Sequence, residues 1–407
     1  MNPEYGEEAS EFRRTIQAFL AANLPQDWAG LGALPTEEAR AFTARWRTVL
    51  ADHGYLVPTW PAEYGGAGLT KLQQVVMVEE FARADVPANG PNDNFSIKMI
   101  GNLLLKFGTE EQKRRFLPRI VSGEDRWCQG FSEPGAGSDL AGLSTKARLV
   151  DGEWIIDGQK IWTSEATTAD WIFVLARTNP DLPRHQGISM LLVPLDQPGV
   201  EVRPIKMITG AESFNEVFFS GARTAEDCVV LGVDQGWKAA MALLGLERGD
   251  EAATNPIMFG AEVDRLIALV AERGLGKDEI VRDRIARAYS RAQIMKYLGK
   301  RILTGWLRGE SGGTEASVSK LYWSEHHRDV TDLAMTLLGP AGLVPEGRPP
   351  LRHFRTDDPG AANSTASWSH SWLTAVSGTI YAGTSEIQRN ILAESALGLP
   401  REPRPTS

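Results

Sequence analysis

Cysteine is almost missing from this 407-residue chain, with Cys128 and Cys228 its only two. Two thiols are too few for a disulfide framework or a cysteine-based metal site, so no metal centre is expected. They fit a reducing compartment, and the cytoplasm is the simplest expectation. No run of 18 apolar residues without charge occurs, so no membrane-spanning helix is expected. The first residues, Met1 to Glu8, are acidic where a secretory leader would be basic and then apolar, so no leader is expected. A strongly basic stretch is also missing, and 43 Lys and Arg against 52 Asp and Glu leave a net charge of −9. That balance argues against nucleic acid as the main ligand.

What is present is ordinary for a globular protein: 42% hydrophobic and 23% charged residues. At roughly 100–200 residues per domain the length suggests two to four domains. Residues 1–124 read as helical. Phe12, Ile16, Phe19 and Leu20 recur at helical spacing. Thr70 with Gln73, and Thr109 with Gln112, have the spacing of capping boxes. Trp60 to Gly68 reads as a loop from its Pro and Gly content. Residues 125–236 carry short alternating runs between Gly and Asp turns. Asp151-Gly152 and Asp157-Gly158 flank Trp154-Ile155-Ile156, a pattern that predicts tight hairpins. Ile172 to Leu175, Ile188 to Val193 and Glu216 to Phe219 are further strand candidates, in a small antiparallel barrel or sandwich. Residues 237–407 return to helical spacing, apart from a long irregular connection over Gly339 to Ser371.

Four stretches, in order, carry the chemistry. They are Phe131-Ser132-Glu133-Pro134-Gly135-Ala136-Gly137-Ser138-Asp139; Gly158-Gln159-Lys160-Ile161-Trp162-Thr163-Ser164; Gly245-Leu246-Glu247-Arg248; and Tyr381-Ala382-Gly383-Thr384-Ser385-Glu386-Ile387-Gln388-Arg389. Singly, each has an ordinary reading: a tight glycine turn, a core tryptophan, an ion pair. In the first loop, small residues let backbone N–H groups and the Ser132 and Ser138 hydroxyls come close to a bound polar ring.

Together, in this order and separation, they resemble the acyl-CoA dehydrogenase family over essentially the full chain. The resemblance implies an α+β protein with an N-terminal helical domain, a central antiparallel β domain and a C-terminal four-helix bundle domain. It implies FAD as cofactor and an acyl-CoA as substrate, with an electron-transfer flavoprotein or similar acceptor. By position, Gln129, Phe131, Ser132, Trp162, Thr163 and Ser164 correspond to residues around the flavin ring. Ser138 corresponds to a position near both the flavin and the CoA moiety. Arg273, Thr384 and Glu386 fall on cofactor-binding positions. Arg248, Ala382 and Gly383 fall on substrate positions.

The reaction so implied removes a proton from the α carbon and a hydride from the β carbon, the hydride passing to flavin N5. The α proton is weakly acidic, so a base with a raised pKa and donors to the thioester oxygen are both needed. Many family members place a Glu after the Tyr of the fourth stretch. Here that residue is Ala382, whose N–H still matches the oxygen donor. A second group, which includes isovaleryl-CoA dehydrogenase, carries the base before the Arg of the third stretch, and here that residue is Glu247. Trp237 to Leu246 holds one charged residue, Lys238. It therefore predicts a helix that is apolar nearly all round and buried, with Glu247 desolvated at its end. The competing reading of Glu247 is a structural ion pair.

Two further departures concern the cofactor. Family tetramers complete each flavin site with an Arg-x-x-Phe-Gly segment from a neighbour, but here the stretch is Arg273-Gly274-Leu275-Gly276-Lys277. Where a Gln and paired glycines normally reach the phosphates, the sequence is Thr336-Leu337-Leu338-Gly339-Pro340, and proline removes a donor. The pattern is similar to actinobacterial steroid side-chain acyl-CoA dehydrogenases, some of which are α2β2 heterotetramers with a second acyl-CoA dehydrogenase-like chain. A branched, bulky or steroid-linked acyl group follows from that likeness. Three alternatives remain open on sequence grounds: a non-catalytic subunit that supports a partner's flavin, a flavin oxidase or monooxygenase, and action on a carrier-protein thioester.

Overall fold

The computed structural model describes residues 5–246, 248–309, 314–349 and 364–401, with the backbone alone at 244–246 and 248–251. Helices α1 (Glu7–Asn23), α2 (Thr36–Asp52), α3 (Lys71–Arg83), α4 (Asn102–Phe107) and α5 (Glu110–Ser122) come first. Strands β1 (Trp127–Gly130), β2 (Lys146–Val150), β3 (Glu153–Ser164), β4 (Trp171–Arg177), β5 (Ile188–Pro194), β6 (Val200–Ile205), β7 (Phe214–Ala225) and β8 (Val229–Val230) follow. Helices then return as α6 (Gly236–Leu246), α7 (Arg248–Glu272), α8 (Glu279–Leu307), α9 (Thr314–Leu338), α10 (Trp368–Ala375) and α11 (Ser385–Ile391). Among the described residues, no helix is long and apolar enough to cross a membrane. Contacts divide the chain into two compact units. A helical unit comprises Met1–Thr43, Thr70–Ala88 and Arg248–Ser407, and a sheet unit comprises Ala44–Leu69 and Asn89–Glu247.

In the sheet unit the strand order is β6-β7-β3-β2-β4-β5-β8, with β1 added beside β4. Strands β4 and β5 are buried along nearly their whole length, as strands covered on both faces must be. Their Ile172, Val174, Leu191 and Val193 share one core with Cys128, Trp154, Ile156, Val217 and Phe219. The ladders are antiparallel except for β1 with β4 and a single β2–β4 pair, which are parallel. The β2–β3 excursion supplies the chain length that a parallel return needs. Asp151 and Gly152 form the β2–β3 hairpin turn, with φ of 52° and 81°, the two left-handed residues of a mirror-image turn. Asp157-Gly158 departs from expectation, because it lies inside β3 at a register shift rather than in a turn. The Asp157 carboxylate accepts the Gly221 N–H at 2.7 Å, so this pair serves a bulge. Thr109 and Gln112 do close a capping box at the start of α5, and the Gln112 side chain also donates to the carbonyls of Asp227 and Val229.

Helix α6 also departs from the sequence reading. Ala239, Ala240 and Leu243 are buried, but Lys238 and Met241 are exposed, so the helix buries one face and not its circumference.

In the helical unit, Thr70 and Gln73 close the capping box of α3. Val263 and Leu266 on α7, Ala288 and Ala292 on α8, and Val330, Leu333 and Ala334 on α9 form the core. Glycine is required at position 299, where an added Cβ would stand 2.3 Å from the Ala252 carbonyl oxygen. Helices α1 and α3 are joined by Arg13, which pairs with the buried carboxylates of Glu79 and Glu80. Glu80 also accepts from Gln17 at 2.8 Å. After α9 comes a short 3-10 turn, Gly339–Leu343; residues 350–363 of the expected irregular connection lie outside the described residues, and α10 already begins at Trp368, ahead of the expected end at Ser371.

Candidate active site

The first two motifs meet in the sheet unit, and a buried ion pair joins them. Lys160 of β3 is fully buried, and its Nζ donates to Glu133 Oε1 at 2.7 Å and to the Phe131 carbonyl at 3.2 Å. The Glu133 carboxylate also accepts the Ser144 N–H and hydroxyl at 2.6 and 2.7 Å and the Thr145 N–H at 2.9 Å. Every lone-pair direction that matters is therefore used, as a charge taken out of water requires. Burial pushes the Glu133 carboxyl up, but the Lys160 charge and the hydrogen bonds outweigh it and hold the group down at about 2. The Ser132 carbonyl accepts the Ile161 N–H at 3.0 Å, a second tie between loop and strand. Glu133 and Ala136 exchange backbone hydrogen bonds across Pro134-Gly135, so the loop turns back on itself.

This anchoring sorts the predicted residues. Gln129 is half-buried on β1, opposite Phe173. Phe131 is buried edge-on against Phe173, with ring centroids 5.9 Å apart. Ser132 is half-buried and Ser138 is exposed. At Gly135 and Gly137 an added Cβ would meet nothing within 4 Å, so the chain leaves open space over the loop.

At the end of β3 the register against β7 slips between Lys160 and Thr163. Trp162 sits in that slip with φ of 60°, a left-handed conformation that costs a bulky residue roughly 1–3 kcal/mol. Its indole is 58% exposed and touches Phe214 only at an edge, with centroids 6.0 Å apart. Thr163, the next residue, is buried, and its Oγ1 has no hydrogen-bond partner among the described residues. Asn215 holds the Thr163 carbonyl at 3.0 Å. Ser164 is buried beside it. The fold thus presents a flat aromatic face and, one residue on, an unpaired hydroxyl.

The fourth motif lies in the helical unit. Ala382 and Gly383 have φ of 51° and 85°, and Thr384 caps α11 by accepting the Ile387 N–H. Ala382 is exposed and Gly383 half-buried. Lys320 of α9 donates to the Gly383 carbonyl at 2.6 Å, and Gln388 donates to the Ala382 carbonyl at 3.0 Å. Glu386 is exposed, and its own backbone N–H and the Thr384 hydroxyl hold its carboxyl below the usual range. Arg273 is exposed just past the end of α7. Glu247 lies outside the described residues. Arg248 is the first residue of α7, and its side chain lies outside them too. Glu133, Lys160, Lys320 and Gln388 have no role assigned by the sequence. The first two and Gln388 stand inside the motifs, so the signal was present, but only the contacts give it meaning.

Family models match the whole layout: acyl-CoA dehydrogenase N-terminal domain over residues 6–124, middle domain over 128–222 and C-terminal domain over 234–397. Acyl-CoA dehydrogenase IpdE1 of Mycobacterium tuberculosis is 42% identical over 401 residues, covering 97% of this chain and 99% of that protein. This chain belongs to the acyl-CoA dehydrogenase family. Among solved structures, the Tcur3481-Tcur3483 steroid ACAD has a TM-score of 0.78 and 31% identity, covering 98% of this chain and all of that one. The ChsE4-ChsE5 complex from Mycobacterium tuberculosis has a TM-score of 0.74 and 29% identity, with 99% and 100% covered. This acyl-CoA dehydrogenase is therefore an oxidoreductase of the same α+β family that its four motifs resemble.

Proposed function

We propose that the protein is an FAD-dependent α,β-dehydrogenase of a bulky acyl-CoA, and that the acyl group is of the steroid side-chain kind. The observation that carries the flavin reading is the pair Trp162 and Thr163. A tryptophan held in a left-handed bulge with its face exposed, followed by a buried hydroxyl lacking any partner, fits a planar ring with a polar edge. A buried polar atom without a partner is unfavourable in the protein alone. The open space over Gly135 and Gly137 fits close backbone approach by the same group. Gln129, Ser132, Thr163 and Ser164 would hold its polar atoms, with Trp162 and Phe131 as apolar walls. Arg273, Thr384 and Glu386 are assigned to the cofactor by position. Bound FAD supplies the acceptor for the β hydride.

The chain's own residues supply the rest. Glu247 takes the α proton from the family's alternative base position, Ala382 standing in the commoner one. The Ala382 N–H donates to the thioester oxygen as it gains charge, which is where preorganised donors are most effective. Ser138, Arg248 and Gly383 orient the acyl-CoA. An electron-transfer flavoprotein or similar acceptor would be the electron partner of the assembled enzyme. The steroid-type substrate is supported by the likeness to a solved steroid ACAD.

Assembly follows from the departures in sequence. The missing Phe-Gly after Arg273, and Pro340 within the Gly339–Leu343 turn, support an α2β2 tetramer in which a second acyl-CoA dehydrogenase-like chain completes the flavin site. The likeness to a two-protein complex agrees with this. The test is co-expression with a second acyl-CoA dehydrogenase-like chain from the same source, followed by intact-complex mass measurement and anaerobic titration. The expected result is a yellow complex bleached by a bulky acyl-CoA. A complex with full FAD that no acyl thioester reduces overturns the dehydrogenase reading, and a homotetramer with one FAD per chain overturns the assembly. Glu247→Gln in the assembled enzyme is expected to lower turnover at least about a hundredfold. Near-wild-type turnover would make Glu247 a structural residue.

A further inference from the structure

Strand β3 ends on a bulge, and one buried amide takes hold of the strand directly after it. Lys160 stands opposite Val217 and Thr163 opposite Asn215, so Ile161 and Trp162 face Glu216 alone. Two residues against one interrupt the ladder where the Trp162 face is presented. On the near side of the interruption the Ser132 carbonyl takes the Ile161 N–H at 3.0 Å. On the far side stands Asn215 of β7. Its side chain is fully buried, and its Nδ2 donates to the Thr163 carbonyl at 3.0 Å. Its Oδ1 has no hydrogen-bond partner among the described residues. A buried amide with one end unsatisfied lowers stability, and an apolar side chain there would avoid that cost. The donor end is therefore the part of Asn215 that the fold uses.

The Thr163 carbonyl and the Ser164 N–H belong to one peptide unit. That unit is planar and trans, so the two groups point in opposite directions. A carbonyl drawn toward Asn215 on β7 turns the Ser164 N–H to the other edge of β3. The following unit agrees. Its Glu165 N–H donates to the carbonyl of Ser213, the residue before β7, at 2.9 Å, so the Ser164 carbonyl also faces away from β7. Among the described residues no strand covers that other edge beyond Asp157, because the β2 ladder stops at the pair Lys146 and Asp157. Ser164 thus turns a backbone donor and a backbone acceptor toward an edge that no strand fills, two residues after the exposed face of Trp162.

We propose that Asn215 is a positioning residue for the cofactor: by holding the Thr163 carbonyl it aims the Ser164 N–H, in the same peptide unit, at the polar edge of the flavin ring. This rests on the FAD reading above, in which Ser164 meets that ring. Asn215 touches neither ring nor substrate in this role, and it acts through the one peptide unit it holds. A fixed N–H binds a negatively charged acceptor more strongly than a neutral one. The aim of this donor therefore matters more to the reduced cofactor than to the oxidised one.

The test reads the donor through the cofactor and needs no substrate. The midpoint potential of bound FAD is measured in the assembled enzyme by spectroelectrochemical titration, and FAD affinity by fluorescence. Asn215→Leu keeps the side-chain size but not the donor. It is expected to weaken binding of oxidised FAD about tenfold, and of reduced FAD about tenfold more, the scale of a hydrogen bond to a charged group. That second factor of ten lowers a two-electron midpoint by about 30 mV. Asn215→Gln carries the amide on a longer stem and should recover part of both, which a role in packing alone would not give. A folded, flavin-loaded Asn215→Leu enzyme with the wild-type potential overturns the proposal, whatever its melting temperature. If that variant does not fold, Asn215→Thr, whose hydroxyl is too short for the contact, is read by the same criterion. A wild-type assembly that binds no FAD removes the flavin reading and the proposal with it. A wild type that binds FAD, with unmoved variants, removes only Asn215.

Discussion

The Lys160 ammonium lies 2.7 Å from the Glu133 carboxylate, with both side chains out of solvent and one further carbonyl, that of Phe131, on the same nitrogen. The pair clamps the Phe131 to Asp139 loop onto β3. Breaking it from one side leaves a buried charge without its partner, whereas removing both charges does not. Lys160→Met is therefore expected to cost about 3–5 kcal/mol in denaturant unfolding, and the double variant Lys160→Met with Glu133→Gln to recover part of it. A single-variant loss below about 1 kcal/mol, the range of exposed pairs, would show that the clamp is not what holds the loop.

The same carboxylate gives the protein an acid-sensitive element. Glu133 is held at about 2 in the folded chain, below the usual range for a free Glu. A group with a depressed folded pKa adds stability above its unfolded value, and that stability is lost as pH falls toward the folded value. The window therefore runs from about pH 4.5 down to about 2, and the contribution is on the order of 3 kcal/mol at neutral pH. Unfolding free energy measured across this range should fall more steeply for the wild type than for Glu133→Gln.

His326 of α9 produces a second, earlier loss on acidification. It is buried against Phe259, with ring centroids 5.8 Å apart, and neither ring nitrogen has a hydrogen-bond partner among the described residues. Burial lowers its pKa to about 3, and the charges of Arg291 and His327 act in the same direction. The folded chain thus binds fewer protons than the unfolded chain between about pH 6.5 and 3, so stability falls as pH drops through that window. His326→Leu should flatten the dependence between pH 6.5 and 5 in thermal unfolding. An unchanged slope would mean that another histidine sets it.

Trp162 separates cofactor binding from folding. Its side chain is mostly exposed, and its one aromatic neighbour in the sheet unit is Phe214. Trp162→Ala should therefore change the stability of the flavin-free protein by no more than about 0.5 kcal/mol. Loss of a stacking wall over the proposed flavin should weaken FAD retention about tenfold, within the range measured for one aromatic stacked on a planar ring. Fluorescence titration of the stripped complex with FAD reads this, and an unchanged affinity would place the flavin elsewhere.

Local chemistry made part of this protein legible from its sequence. The capping boxes at Thr70 and Thr109, the Asp151-Gly152 hairpin and the buried strands β4 and β5 are set by residues within a few positions of one another. The four motifs likewise carried the family through their order and spacing in the chain. Where sequence reasoning failed, it failed on context. Asp157-Gly158 has the composition of a hairpin turn, but β7 supplies an N–H to the Asp157 carboxylate and the pair becomes a bulge. The α6 segment is apolar nearly all round, yet among its described side chains Ala239, Ala240 and Leu243 are buried while Met241 is exposed. Pairings across long stretches of chain were decided by tertiary structure alone. Lys160 meets Glu133 from 27 positions away, and Lys320 meets Gly383 from 63. The orphaned Thr163 hydroxyl and the left-handed Trp162 have no sequence signature, since each is defined by which neighbours are missing or by a register slip against β7. Sequence determines what each residue can donate, accept or bury; only the fold decides which of those capacities is met inside the chain and which is left for a ligand.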